Sequence, residues 1–315
     1  MPDYTIVESV KNKFNIVCAW QEKYKDNIPK SNSELWIERV LILSAGIFIL
    51  AILLITLFIF AKGIPLIAKT GISEFLFNTE WNPLKGKFGI GSMFIGSLAV
   101  TFGALLWAVP LGLITAVFMA EVAPVKTRDI LGSFIELLAG IPSVVYGFFG
   151  LIVVVPFIRE NFGGSGMSIL AGVFILGIMI LPTIINISRD SILAVPKEYK
   201  ENSLALGATH YQTIRRVIIP AARSGIVTAV VLGMGRAIGE TMAVVMVTGN
   251  AAIVPDSILS PVRTMTSNIV LEMGYAAGDH QAALFGTGTV LFIFIVVLNL
   301  VVDIFAKAGI SNENR

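Results

Sequence analysis

The stretch "SGIVTAVVLGMGRAIGETMAVVMV", residues 224–247, is apolar enough to dissolve in lipid, yet it carries Arg236 and Glu240 near its middle. About 20 apolar residues in a helix cross the roughly 30 Å hydrocarbon core of a bilayer, so this run reads as a membrane span. Its two charges pose the question of function, because a central Arg or Asp costs an inserting helix roughly 2.5–3.5 kcal/mol. At i,i+4 spacing on a continuous helix the two side chains would partly neutralise each other. The pair is then expected to face protein or water. It serves either as an internal ion pair that fixes helix register or as part of a substrate path, since intramembrane ionisable groups commonly mark such paths.

The rest of the chain has the same character. Of its 315 residues 55% are hydrophobic and 14% charged, and the mean hydropathy is +0.83. That is the composition of a membrane protein. Apolar runs of spanning length lie near 37–60, 91–119, 130–158, 167–187, 224–247 and 284–306. All six are expected to be helices, because amides in lipid must be satisfied within their own segment and the runs are too long and uniform for barrel strands. Residues 1–36 read as a polar tail, 37–308 as the transmembrane domain and 309–315 as a second tail. Val7, Val10, Phe14 and Val17 recur at helical intervals between lysines, a pattern that suits an interfacial helix or packing on the protein's own surface. The first apolar run is a full span preceded by a charged tail, so it is expected to be an uncleaved anchor.

Orientation follows from the 23 Lys and Arg residues. With the N-terminus placed in the cytoplasm, 16 fall inside and six outside (Lys62, Lys69, Lys85, Lys87, Arg159 and Arg263), and Arg236 is left within a span. The positive-inside bias therefore puts both termini in the cytoplasm. Arg263, in the outer loop 248–283, reads as a solvated side chain or a contact for an external partner.

Several chemistries drop out. One cysteine, Cys18, leaves no intramolecular disulfide, and His210 and His280 stand too far apart to suggest a metal site. No G-x-x-x-x-G-K-[ST] occurs, so the chain is not expected to bind or hydrolyse nucleotide itself. It reads as a transport subunit rather than an enzyme, with the lipid bilayer as its surroundings and no nucleic-acid partner. Beside the charged pair, Gly235 and Gly239 form a G-x-x-x-G spacing at which another helix could approach closely. Thr241 and Asn250 could extend a polar lining, although small polar side chains in membrane helices often bond to a neighbouring helix instead. Glu136 reads as a gate or a cap partner.

The loop "PKEYKENSLALGATHYQTIRRVIIP", residues 196–220, reads as two short helices. Pro196 suits a first turn, Gly207 a C-terminal stop, and Thr209 with Gln212 a capping box. Tyr211, Ile214, Val217 and Ile218 are then expected on one face. Glu201, Gly207 and Pro220 in this spacing resemble the EAA loop of ABC importer permeases. Together with "GRAIGETMAV" (235–244), "IELLAGIPSVVYGFFG" (135–150) and "EWNP" (80–83), the chain resembles phosphate importer permeases of the PstC type over about 37–308.

The resemblance implies an all-α type I ABC importer permease fold with six transmembrane helices and a cytoplasmic coupling helix. It implies a heterodimer with a PstA-type sister permease, two copies of an ATPase subunit that hold the ATP and Mg, and a periplasmic phosphate-binding protein, all at a bacterial inner membrane. In that family the loop helix docks on the ATPase, which gives Glu201, Gly207, Tyr211, Ile214 and Pro220 a coupling role. Arg236 would hold the anion midway, and Glu240 would orient Arg236 or accept a hydrogen bond from substrate. Permeases for sulfate or molybdate, or a secondary anion transporter, are the competing readings.

Overall fold

The computed structural model describes residues 32–311, with side chains described over 36–301; residues 1–31, which include the possible interfacial helix of residues 6–20, and 312–315 fall outside these, while the inner parts of the two expected tails, 32–36 and 309–311, are helical. The chain divides into Met1–Phe58 and Ile59–Arg315. The first unit contributes most of helix α1 (Asn32–Thr70), whose apolar side chains there, from Leu41 to Leu57, are exposed. A helix that is apolar all round and unburied has lipid as its solvent.

The second unit holds the remaining helices: α2 (Ile72–Phe77), α3 (Gly91–Val117), α4 (Val125–Gly140), α5 (Ser143–Phe149), α6 (Val155–Phe162) and α7 (Ile169–Leu193). They are followed by α8 (Lys197–Ala205), α9 (His210–Thr213), α10 (Ile219–Ala221), α11 (Arg223–Gly239), α12 (Met242–Val247), α13 (Met265–Glu272) and α14 (Asp279–Ser311). Between α2 and α3 a small antiparallel hairpin pairs β1 (Trp81–Asn82) with β2 (Lys87–Phe88), closed by Gly86 at φ 70°. Among the described residues five helical stretches are long and apolar enough to cross a membrane. The pair His210–Ala221 and Arg223–Gly239, bent by 68°, makes a sixth if it is counted as one broken span.

Helices α3 and α7 form the centre of this unit. Lipid tails are as apolar as leucine, so helices associate in a membrane by close packing over small residues. A Cβ on Gly103 would stand 2.5 Å from Val173, and one on Gly112 would stand 2.7 Å from Ile184. Gly177 faces the Trp107 indole with no room for a methyl group. Around this seam Ala104, Ala108, Leu176 and Ile180 are buried together with Met234 and Ala237 of α11.

Two of the six expected spans differ from a simple helix. The run near 130–158 is interrupted: α4 ends at Gly140, Ile141 is extended at φ −69°, ψ 127°, and the span proper is Ser143–Phe162. Pro142 causes this, because it donates no hydrogen bond and its ring disfavours helical backbone at the residue before it. The run near 224–247 is also interrupted, between Gly239 and Met242.

Candidate functional site

The second interruption occurs at the charged pair. Arg236 lies in the last turn of α11, while Glu240 is extended at φ −69°, ψ 130° and Thr241 leads into α12. The freed backbone groups find local partners. Glu240 Oε1 accepts from the Ala243 amide at 3.1 Å, Thr241 Oγ1 donates to the Gly239 carbonyl at 3.2 Å, and Thr266 Oγ1 donates to the Glu240 carbonyl at 3.1 Å. These bonds satisfy backbone groups that the helix ladder leaves open where no proline stands. Non-helical backbone at membrane depth is tolerated only where protein or an aqueous cavity surrounds it.

The break corrects the expectation that Arg236 and Glu240 neutralise each other on one helix. Arg236 Nη1 donates instead to Thr183 Oγ1 on α7 at 3.2 Å, and no carboxylate pairs with Arg236 among the described residues. Its side chain is exposed, and Glu240 is partly buried. A Cβ on Gly235 or Gly239 would meet nothing within 4 Å, so among the described residues no helix packs on this G-x-x-x-G face, whereas a Cβ on neighbouring Gly233 would reach Ile184 at 3.0 Å.

Asn250 sits just beyond α12 with φ 53°. Its Nδ2 donates to the Val245 carbonyl at 2.7 Å, while its buried Oδ1 has no partner. Thr241 is partly buried beside the break. Glu136 is exposed on α4 and lines an open cleft with Ser133, Leu137 and Pro142.

Arg263 is not a solvated loop residue. Its side chain is 20% exposed, and it donates to Glu272 Oε1 at 2.6 Å, to Asn268 Oδ1 at 3.0 Å and to the Asn250 carbonyl at 2.9 Å. Glu272 Oε2 in turn accepts from Trp81 Nε1 at 2.8 Å and contacts His280 Nε2 at 2.8 Å. The "EWNP" tryptophan is therefore tied to α13 and to the head of α14. Nothing in the sequence spacing links residues 191 positions apart, so hydropathy and motif reading pass over this cluster.

At the other end of the bundle, α8 stops as read: the Gly207 amide donates to the Leu204 carbonyl and Gly207 has φ 84°. The Thr209–Gln212 capping box is present at the start of α9. Glu201, Gly207 and Tyr211 are exposed, Pro220 is partly buried and Ile214 is buried. Tyr211 and Ile214 thus part company, which corrects the single face expected for them. Ile214 and Ile218 are buried and Val217 partly so in the π-helix Ile214–Ile218, while Tyr211 stands exposed on the first turn before it.

With this geometry in place, the chain can be set beside known proteins. Residues 108–308 match the model for "Binding-protein-dependent transport system inner membrane component". The chain belongs to that family. It is an ABC importer permease and a multi-pass membrane protein. The permease is 46% identical over 265 residues to the probable ABC transporter permease protein YqgH of Bacillus subtilis, covering 81% of this chain and 86% of that one. It is 36% identical over 277 residues to the phosphate transport system permease protein PstC of Mesorhizobium japonicum, covering 81% and 84%. The fold matches the MetNI methionine ABC transporter in an inward-facing conformation at a TM-score of 0.55 and 22% identity, covering 68% of this chain and 93% of that one. It also matches a bacterial alginate ABC transporter at a TM-score of 0.57 and 15% identity, covering 87% and 98%. These neighbours support the type I importer architecture of the permease.

Proposed function

We propose that the permease passes inorganic phosphate inward along a route lined by Arg236, after delivery by a periplasmic binding protein. The observation that carries this reading is the condition of that guanidinium. It is a cation at a broken membrane helix, exposed, held by one hydroxyl and without an ion-pair partner among the described residues. Arginine has five N–H donors in a planar fork. With one engaged by Thr183, the others are free to meet a tetrahedral oxyanion two at a time. The PstC name of several relatives adds support for phosphate.

Glu240 supplies discrimination. One of its oxygens serves the Ala243 amide, which leaves the other to accept from substrate. Phosphate near neutral pH keeps a P–OH donor and sulfate does not, so sulfate would leave a desolvated acceptor unpaired. Thr241 and Asn250 extend the polar lining on the outer side of the break.

The open face at Gly235 and Gly239 is covered by a PstA-type sister permease. The exposed tip of the α8–α9 loop, with Glu201, Gly207 and Tyr211, meets one of two ATPase subunits; Ile214 and Pro220 support that tip from inside. ATP and Mg belong to those subunits, and this chain binds no cofactor of its own. Both termini lie in the cytoplasm of a bacterial cell, as the 16 to 6 division of basic residues favours.

The reading is tested by ATP hydrolysis of the reconstituted complex with binding protein loaded in turn with phosphate, sulfate and molybdate. Phosphate is expected to stimulate hydrolysis. Stimulation by another oxyanion and not by phosphate would assign a different substrate.

A further inference from the structure

At the inner end of α3 the backbone winds through a π turn, Phe118–Val122, and presents Glu121. The Glu121 side chain is 9% exposed, and a carboxylate so enclosed needs partners to offset its lost hydration. It has two. Lys200 Nζ on α8 donates to Oε2 at 2.5 Å, and His210 Nε2, at the start of α9, stands 3.5 Å from the same oxygen. These residues flank the Gly207 turn, so a single carboxylate bonds to one arm of the cytoplasmic loop and stands within ion-pair distance of a protonated His210 on the other.

Apolar contacts reinforce the junction. Met119, two residues before Glu121, is fully buried in a cluster with Ile214 and Ile218 of the loop and Ile185 and Ile192 of α7. The two arms are also joined directly by Ser203 and Thr213, whose hydroxyls lie 3.0 Å apart. Turns of π-helix on both sides of the contact are a common mark of functional sites. Here Phe118–Val122 faces the loop that itself contains Ile214–Ile218.

We propose that Glu121 is a positioning residue for transport: it holds the α8–α9 loop at a fixed angle to α3, so that movement imposed on the loop is carried into the membrane. The inference rests on the reading above that a separate ATPase drives this loop. Because Lys200 and His210 sit on different arms, the junction resists hinging at Gly207 and turns the loop and the end of α3 into one moving part.

The test compares assembly with coupling in the full complex reconstituted with its binding protein. Glu121→Gln keeps the size of the side chain and removes its charge. The ATPase subunit is expected to copurify as with the wild type, while anions transported per ATP hydrolysed fall about tenfold, a coupling effect of ordinary size. Glu121→Lys combined with Lys200→Glu is expected to recover much of what either swap loses alone, the signature of a direct pair. A pair with only a structural role would lower the yield of assembled complex and leave the transport-to-hydrolysis ratio of the assembled fraction at the wild-type value. That result overturns the inference, as does a double swap no better than its worse single variant. The substrate reading fails separately, if the wild type answers another anion and not phosphate; the ratio is then measured with that anion.

Discussion

Arg236 and Glu240 stand four apart in sequence, and the backbone between them decides what each can do. On an unbroken helix they would partly neutralise each other; with Glu240 extended and bonded to the Ala243 amide, Arg236 has no carboxylate partner among the described residues. For Glu240 the account predicts that Glu240→Gln raises sulfate uptake relative to phosphate by about tenfold, since an amide can donate where a carboxylate cannot. Competition of labelled sulfate and phosphate in proteoliposomes measures this, and an unchanged ratio would remove Glu240 from selectivity. At the end of the bundle away from the α8–α9 loop, Glu272 joins Arg263, Trp81 and His280 and is only 7% exposed. Removing one member of a buried ion pair strands the other, at a cost of about 3–5 kcal/mol. Glu272→Ala is accordingly expected to lower the thermal midpoint of the purified protein strongly, whereas an unaltered midpoint would mean that the cluster contributes nothing to stability. Both residues show where sequence reading stops. The positions of the charges were legible, but their partners depend on backbone that folds back from elsewhere.

Among elements, the spans were legible wherever composition alone decides. The long apolar runs became α1, α3, α7 and α14 because lipid leaves a helix as the way to satisfy its amides. The breaks at Ile141–Pro142 and Glu240–Thr241 were missed because apolar residues resume on both sides of them and keep each run at spanning length. Pro142 carried a readable signal; Glu240 did not, since its capping bond exists only once the backbone has turned. Glycine spacing had a similar limit: the G-x-x-x-G of Gly235 and Gly239 marked a face free of large side chains but not whether this chain or another covers it. The structure separates the cases. Gly177→Ala drives a methyl into Trp107 and is expected to destabilise the purified subunit by about 1–3 kcal/mol. Gly235→Ala meets open space and is expected to stay within about 0.5 kcal/mol of the wild type. Unfolding midpoints of the two variants in detergent check the contrast, and equal effects would contradict it.

Across the whole molecule, the family match at 108–308 falls within the unit Ile59–Arg315, which also contains the broken helix, the Glu272 cluster and the α8–α9 loop. Three features would suit the proposed assembly: among the described residues Arg236 has no carboxylate partner, a Cβ on Gly235 or Gly239 meets nothing within 4 Å, and the tip of the α8–α9 loop exposes Leu206 at 90% and Tyr211 at 68%. The class of the protein was readable from hydropathy and from the Glu201, Gly207 and Pro220 spacing; the exposed cation became visible only with the break in its helix. The central claim is that this guanidinium receives the travelling anion through paired N–H donors. Arg236→Lys keeps the charge and loses the fork, so phosphate uptake by the reconstituted complex is the direct test. A fall of about 10- to 100-fold is expected, the worth of one or two charge-assisted hydrogen bonds, with the ATPase subunit still bound. Uptake at the wild-type rate would contradict it.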